Sequence, residues 1–376
     1  MTDKATIFFA GDFCSTPSTL PIKVSDELKG LIFSSDFAVC NFEVPLKPND
    51  VPAQKDRYYQ ADDAPAFLES LGFNVISFAN NHAFDYGVEG WQKTMNSFQN
   101  EPFGSGKYED AYKIKIIEKK GIKIGFLALC YAARFGVFDN LSDREGYACA
   151  WINDHIVNHI IIKAKKDVDY LIILPHDGIE YIDIPMPEII IRYHDFIDYG
   201  ADAVIGTHPH CPQGWEIYEG KPIFYSLGNF LFNSKTDYHY RAANRPHWYE
   251  GLCVILEFKG KQTQIIKVIN TKNKDNIAIE IDNSVERLSH NANLCDYFKN
   301  SQKYNNILSQ ECKRLSLIQE APIIDCTFPG GNLFSAFKQI IKCLTRIVLK
   351  RKQPDNSSLK NLLKNDTRRN VLLRGI

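Results

Sequence analysis

Short apolar runs punctuate the first two-thirds of the chain. They read ATIFFAG, DFAVCNFE, NVISFAN, KIGFLALC, DYLIILPH, ADAVIGTH and PIFYSLGN. Each has the length of a β-strand, and each closes on polar residues. Helical patterns lie between them. Val88, Trp91, Met95 and Phe98 recur at helical spacing, as do Ile152, Ile156 and Ile160, and then Ile190, Tyr193 and Ile197. This alternation predicts an α/β layered domain. Two stretches read as antiparallel hairpins. YKIKIIEKKGIKIGFLALC turns at Lys120-Gly121, and GLCVILEFKGKQTQIIKVIN turns at Lys259-Gly260. The sheet is therefore expected to be mixed, and a two-sheet sandwich flanked by helices fits the pattern.

After residue 285 the pattern changes. Asn, Gln and Lys rise and strand signals fade. The expected division is a main domain over 1–285, an irregular or helical extension over 286–332, and a basic amphipathic helix with a tail over 333–376. On that helix Phe334, Phe337, Ile341, Leu344 and Val348 form one face, and Lys338, Lys342, Arg346 and Lys350 the other. The segment Lys338–Lys352 holds six basic residues and no acidic one. Two readings stay open: peripheral contact of 333–352 with an anionic membrane surface, or packing of the apolar face on the main domain.

Composition narrows the class. With 376 residues the chain can bury a large core, and its net charge of −1 supplies no global field toward nucleic acid. No basic groove with interleaved aromatics is visible in the first 280 residues, so nucleic acid is not an expected partner. No apolar run is long enough to span a bilayer, and MTDKATIFFAGDF enters a strand directly, without the pattern of a signal peptide. The ten cysteines are scattered singly, with no C-x-x-C pair. They read as reduced thiols, and the expected location is cytoplasmic.

The strand ends carry the candidate chemistry. In chain order they deliver Asp12; Asn41 and Glu43; Asn80, Asn81, His82 and Asp85; His176, Asp177 and Glu180; His208 and His210; and Asn229. Functional groups in open α/β sheets gather at such ends. The donors are carboxylate, amide and imidazole, which suit zinc, manganese or iron; calcium favours all-oxygen ligation and structural zinc favours thiolate. Each residue alone has a plainer reading. Asp12 suits an Asx-turn, Asn80-Asn81 a left-handed turn, His82 a hydrogen-bonded loop, THPH a rigid proline turn, and HDGIEY a helix start. Their coincidence at consecutive strand ends is what points to a metal site. DYHYRAANRPHWYEG adds aromatics with Arg241 and Arg245, suited either to an anionic substrate or to an ordinary covering loop.

The fragments GD, NFEVPL, ANNHAFDYG, HDGIEY, GADAVIGTHPH and GKPIFYSLGNFLF occur in this order over residues 5–260. Together they resemble the bacterial capsule-synthesis CapA family, the poly-γ-glutamate synthesis group related to calcineurin-like metallophosphatases. The most specific parts are ANNHAFDYG and the run from Gly200 to Phe232. The resemblance implies a four-layer α/β/β/α sandwich of the metallo-dependent phosphatase type, with a helical C-terminal extension here. It implies one or two divalent transition metal ions held by Asp12, Glu43, Asn81, His176, His208 and His210. His82, with Asp85, would be catalytic, protonating a leaving group or stabilising charge. Asn41, Glu180, Asn229 and Arg241 would face the substrate. One departure is Cys14, which stands where the general phosphatase pattern has a histidine two residues after its first aspartate. It leaves the number of ions open.

The chemistry so implied is attack of metal-activated water on a phosphoester, or an amide, within capsule, exopolysaccharide or poly-γ-glutamate metabolism. The expected substrate is a small molecule or polymer of the cell envelope. The alternative is a non-catalytic binding component of a capsule or polyglutamate machine that retains the fold.

Overall fold

The computed structural model describes residues 3–17, 21–54, 58–131, 136–139, 144–233, 245, 247–274 and 277–318. The chain divides into two compact units, Met1–Asp296 and Tyr297–Ile376. In the second, the described residues form a short 3₁₀ turn, Tyr297–Lys299, and a helix, Ser301–Ile318. The amphipathic helix and tail expected over 333–376 lie outside the described residues, as does Arg241.

The first unit is built on strands β1 Lys4–Ser15, β2 Lys23–Val24, β3 Phe37–Phe42, β4 Val75–Ser77, β5 Ser105–Gly106, β6 Lys115–Lys119, β7 Ile122–Cys130 and β8 Ala148–Cys149. They continue with β9 Tyr170–His176, β10 Ala203–Ile205, β11 Trp215–Tyr218, β12 Lys221–Phe224, β13 Asn229–Asn233, β14 Glu250–Lys259, β15 Gln262–Lys274 and β16 Ala278–Ile281. One sheet runs β2-β16-β15-β14-β1-β3-β4, with β13 paired to β1; the other runs β11-β12-β10-β9-β7-β6. Both are mixed. β1, β3 and β4 are mutually parallel, as are β7, β9, β10 and β12, and antiparallel hairpins extend each sheet. The fold is thus the mixed α/β class that the alternation predicts, with two large sheets, a two-stranded β5-β8 pair and intervening helices.

The hairpin turns explain their own sequences. The central residues have positive φ at Lys120 (51°) and Gly121 (76°), at Glu219 (47°) and Gly220 (74°), and at Gly260 (55°) and Lys261 (70°). Two positive φ values in succession match the right-handed twist of the flanking strands, and glycine adopts one of them without strain. The β6–β7 turn falls at Lys120-Gly121 as expected. The β14–β15 turn is centred on Gly260-Lys261, one residue later than expected, because Lys259 pairs with Gln262.

Every residue of β9 is buried, as expected of a parallel strand covered on both faces. The sheets are tied where the Tyr170 ring packs on Phe258 at 5.1 Å and the Tyr170 hydroxyl accepts a hydrogen bond from the Lys261 amide at 2.8 Å. The helices fall where the periodicity places them, but their inner faces differ in part. Ile156–Ala164 buries Val157, Ile161 and Ala164 in place of Ile156 and Ile160, while Ile152 is buried ahead of the helix. In Pro187–Asp198, Tyr193 and Ile197 are buried as expected, joined by Ile189 and Phe196. Isoleucines occupy both flanks of these stripes, so periodicity alone fixes the face only to within a residue.

Register sets the site. Along one sheet Asn229, Asp12, Asn41 and Ser77 are successive cross-strand partners; along the other Cys130, His176 and Thr207 are. Gly11 makes the first row possible. A Cβ there would lie 1.9 Å from the Gly228 carbonyl oxygen, the group to which the Asp12 amide donates at 2.9 Å. Gly206 does the same in the second sheet, where a Cβ would meet the Tyr225 oxygen at 2.2 Å.

Candidate metal centre

Asp12 is fully buried at the break in β1 pairing. Its Oδ1 accepts from Asn41 Nδ2 at 2.7 Å and its Oδ2 from the His208 amide at 3.1 Å. Burial pushes its carboxyl up to about 7, against the pull of these hydrogen bonds. A nearby cation would restore the carboxylate. Glu43, also fully buried, follows β3; its Oε1 lies 3.6 Å from His210 Nε2 and 3.9 Å from His82 Nε2.

The imidazoles arrive from the second sheet. His176 ends β9. Its Nδ1 lies 3.0 Å from Thr207 Oγ1, 3.3 Å from Asn41 Nδ2 and 3.7 Å from Asp12 Oδ1. Its Nε2 lies 2.9 Å from Asn81 Oδ1 and 3.1 Å from His208 Nδ1. His210 Nδ1 is 3.0 Å from Asn229 Oδ1 and 3.8 Å from Asp12 Oδ2. Burial pushes the His210 imidazole down to about 4, so near neutral pH it is uncharged, the form that can ligate a metal. His208 (φ 103°) and His210 (φ 55°) both hold left-handed backbone, as does Val44 (φ 75°) beside Glu43. Non-glycine residues in that region cost about 1–3 kcal/mol each and persist where packing over-determines them, commonly at functional sites.

The two asparagines of ANNH divide their work. Asn80 builds the loop: its Nδ2 donates to the Phe42 oxygen at 2.9 Å and to Asn41 Oδ1 at 3.2 Å, and its Oδ1 accepts from the His82 amide. Asn81 instead presents its oxygen to His176. His82 Nδ1 is held 2.7 Å from Asp85 Oδ2, which turns Nε2 toward Glu43.

Asp12, Glu43 and His176 offer ligand atoms that all lie within 4.8 Å of one another in buried surroundings. Two buried carboxylates, amide oxygens and several imidazoles are a donor set that fits a divalent transition metal. Of the remaining sequence candidates, Asn229 lies in the cluster, with its Nδ2 donating to the Trp248 oxygen at 2.9 Å. Glu180 is half-buried on the loop after β9, where its charge favours protonated His210. Cys14 packs in an apolar cluster with Val44, Phe232, Trp248 and Tyr249, the surroundings of a structural thiol.

Several contributors carry no sequence signal of their own. Gln60 joins the ends of β1 and β3, donating to the Phe13 and Glu43 oxygens and accepting from the Ser15 amide. Tyr131 packs on His208 at 4.5 Å. Trp248, at 4.8 Å, and Tyr181, at 6.2 Å, form an aromatic wall against His210, and the Arg245 guanidinium covers both rings. HDGIEY, which ends in Tyr181, THPH, and the aromatic stretch that ends in HWYEG are the sequence hints of that wall.

The fold and the cluster together define an α/β protein with a buried carboxylate–imidazole–amide centre where the strand ends of two sheets meet. The chain belongs to the family of bacterial capsule synthesis proteins PGA_cap, whose model matches residues 6–234, in line with the resemblance of its motifs. It is 33% identical over 208 residues to the PGA biosynthesis protein CapA of Bacillus subtilis (strain 168), covering 53% of this chain and 54% of that protein. It is 30% identical over 213 residues to the capsule biosynthesis protein CapA of Bacillus anthracis, covering 53% and 51%. The chain thus spans about half the length of the curated relatives it matches. Among solved structures it is similar to one titled a novel phosphatase, from Mycoplasma pneumoniae, at 16% identity and a TM-score of 0.41, covering 80% of this chain and 99% of that one.

Proposed function

We propose that this chain is a metal-dependent hydrolase of the CapA type, cleaving a phosphoester, or an amide, in capsule, exopolysaccharide or poly-γ-glutamate metabolism. One observation carries the reading: Asp12, Glu43 and His176 converge within 4.8 Å in a buried site, beside an imidazole whose far nitrogen is fixed by a carboxylate. Asp12, Glu43, Asn81, His176, His208 and His210 would hold one or two divalent ions, manganese, zinc or iron. A bound ion supplies Lewis-acid polarisation and water activation. The protein's own residues do the rest. Asp85 keeps a proton on His82 Nδ1 and stabilises the imidazolium, so that Nε2 can deliver a proton to a leaving oxygen. Asn41 orients Asp12 and His176, and Asn229 orients His210. Glu180, Asn229 and Arg241 are the proposed substrate contacts.

The polymer context rests on the names of the relatives, which refer to PGA and capsule biosynthesis. The proposed setting is cytoplasmic, with 333–352 as a contact for the inner membrane face. Among the described residues no helix is long and apolar enough to cross a membrane. The second reading, a non-catalytic binding component, is favoured by Cys14, which packs away in an apolar cluster where the broader phosphatase pattern has a histidine.

The test is metal content by plasma mass spectrometry, on protein purified without chelator or histidine tag, beside a His208→Ala/His210→Ala variant. Both proteins are then assayed on 4-nitrophenyl phosphate, its bis ester and a γ-glutamyl anilide. Metal and turnover present in the native protein and lost together in the variant support the hydrolase. Metal without turnover on any of these supports the binding component. No metal, even after reconstitution, sinks the hydrolase and leaves the strand-end cluster as a polar surface of a binding component.

A further inference from the structure

A second cluster of ligating side chains lies outside the strand-end centre. Asp183 sits on the loop between β9 and the helix Pro187–Asp198, His247 just before β14, and His290 within the helix Val285–Asp296. Both imidazoles aim Nε2 at the same oxygen: His290 at 3.2 Å and His247 at 3.9 Å from Asp183 Oδ2. Their rings stack at 4.4 Å with 13° between planes. His290 Nε2 is buried and forms no aligned hydrogen bond, despite its short approach to the carboxylate. His247 Nδ1 is engaged 2.7 Å from Glu250 Oε2, and the same Glu250 oxygen is bridged by the Arg287 guanidinium. That pairing orients the His247 ring with Nε2 facing Asp183, the carboxylate–histidine arrangement found behind metal ligands.

An ion pair alone accounts poorly for this geometry. One imidazolium, on His247 beside Glu250, would with the Arg287 guanidinium balance the carboxylates of Asp183 and Glu250, but it leaves His290 Nε2 buried without an aligned hydrogen bond. Neutral imidazoles around a shared cation satisfy all three ligating groups. The ligand atoms lie within 4.8 Å of one another, and an N₂O set with an open position suits zinc or a similar transition metal.

We propose that Asp183, His247 and His290 form a second divalent-metal site, which clamps three sequence-distant segments and thereby fixes the aromatic wall of the strand-end centre. The link is covalent and short. Tyr181 lies two residues before Asp183, Trp248 directly follows His247, and both rings pack on His210. Tyr181 (φ 69°) and His247 (φ 67°) hold left-handed backbone, which a clamp at this point would stabilise. The proposal stands whether or not the strand-end centre is catalytic.

The experiment separates the two sites. In an Asp12→Asn/His208→Ala background, cobalt(II) is titrated and followed by visible absorption and by equilibrium dialysis. One equivalent is expected, quenching part of the tryptophan emission, and adding His290→Ala is expected to remove it with the far-ultraviolet circular dichroism unchanged. Asp183→Asn gives the same reading if the alanine variant does not fold. Binding of no cobalt in the background overturns the proposal and leaves an ion pair only. An equivalent that survives both His290→Ala and Asp183→Asn overturns it equally.

Discussion

Replacing Asp12 by asparagine tests how dry the strand-end site is. The carboxyl is fully buried, and its pKa rises from 3.8 to about 7. The folded state therefore holds this proton more tightly than the unfolded chain does. Stability contributed by the protonated form is present below 3.8 and lost as pH rises through the interval to about 7. At 1.36 kcal/mol per pH unit, the loss is on the order of 4 kcal/mol. The amide of the Asp12→Asn variant would not titrate. In chelator, the variant's stability relative to the native protein should thus climb by several kcal/mol between about pH 4 and pH 8. His210, 3.8 Å away, titrates in the opposite sense, and comparing the two proteins at each pH largely removes it. A constant offset from the altered hydrogen bonds leaves the slope untouched. The assay is urea denaturation across pH, repeated with saturating manganese or zinc, where the native protein should regain the difference and the variant should not. A gap between the apoproteins that stays constant with pH would refute the reasoning, because it would mean that Asp12 is solvated.

Gly11→Ala and Gly206→Ala should each destabilise by at least about 1–3 kcal/mol in urea titrations, because the new methyl meets a backbone oxygen at 1.9 and 2.2 Å, whereas Gly30→Ala, with nothing within 4 Å in an exposed helix, should stabilise by about 0.5–1 kcal/mol. If the hydrolase reading holds, Asp85→Asn should lower kcat by about 10²-fold or more at unchanged metal content, since only the orientation and charge of His82 depend on it; an unchanged kcat would remove His82 from proton transfer. Cys40 and Cys253, buried and with thiols pushed up by desolvation, should remain unmodified by iodoacetamide in peptide mapping of the native protein, and both should react in urea.

Much of the architecture is legible because strand-length apolar runs stop at polar residues. The seven runs all contain strands, and the Lys120-Gly121 turn follows from residues that tolerate positive φ. What escapes is non-local. β13 lies parallel to β1, and no local pattern announces that pairing. The β11–β12 hairpin escapes because β11 is half-exposed and its apolar signal weak. The candidate centre is legible as a set of donors, since each stands at or just beyond the end of an apolar run, although in the structure only His176 ends a strand, Asp12 lies inside β1, and the others sit on the loops that follow. Its supports are not: Gln60 looks like any polar loop residue until its three hydrogen bonds join β1 to β3. Asp183, His247 and His290 belong to segments with no shared motif, so only folding brings them together.

The donor chemistry divides by sheet. The sheet containing β1, β3 and β4 supplies oxygen, through Asp12, Glu43 and Asn81, while the sheet containing β9 and β10 supplies nitrogen, through His176, His208 and His210. His82, on the loop after β4, is the one imidazole that the first sheet adds, and transition metals that accept both oxygen and imidazole are best served at the seam, where the carboxylates meet the other three imidazoles. The strain is distributed across the same boundary, with left-handed backbone at Val44 on one side and at His208 and His210 on the other. Strained residues persist only where surrounding structure fixes them. That requires the two sheets to be locked together, as they are by Tyr170 against Phe258 and by Tyr170 with Lys261. A cation bound at the seam adds to the folded state only when both sheets are docked, so binding and packing reinforce each other. On the proposed reading, the polar residues at these strand ends, costly to bury singly, are accounted for together as the two halves of one site.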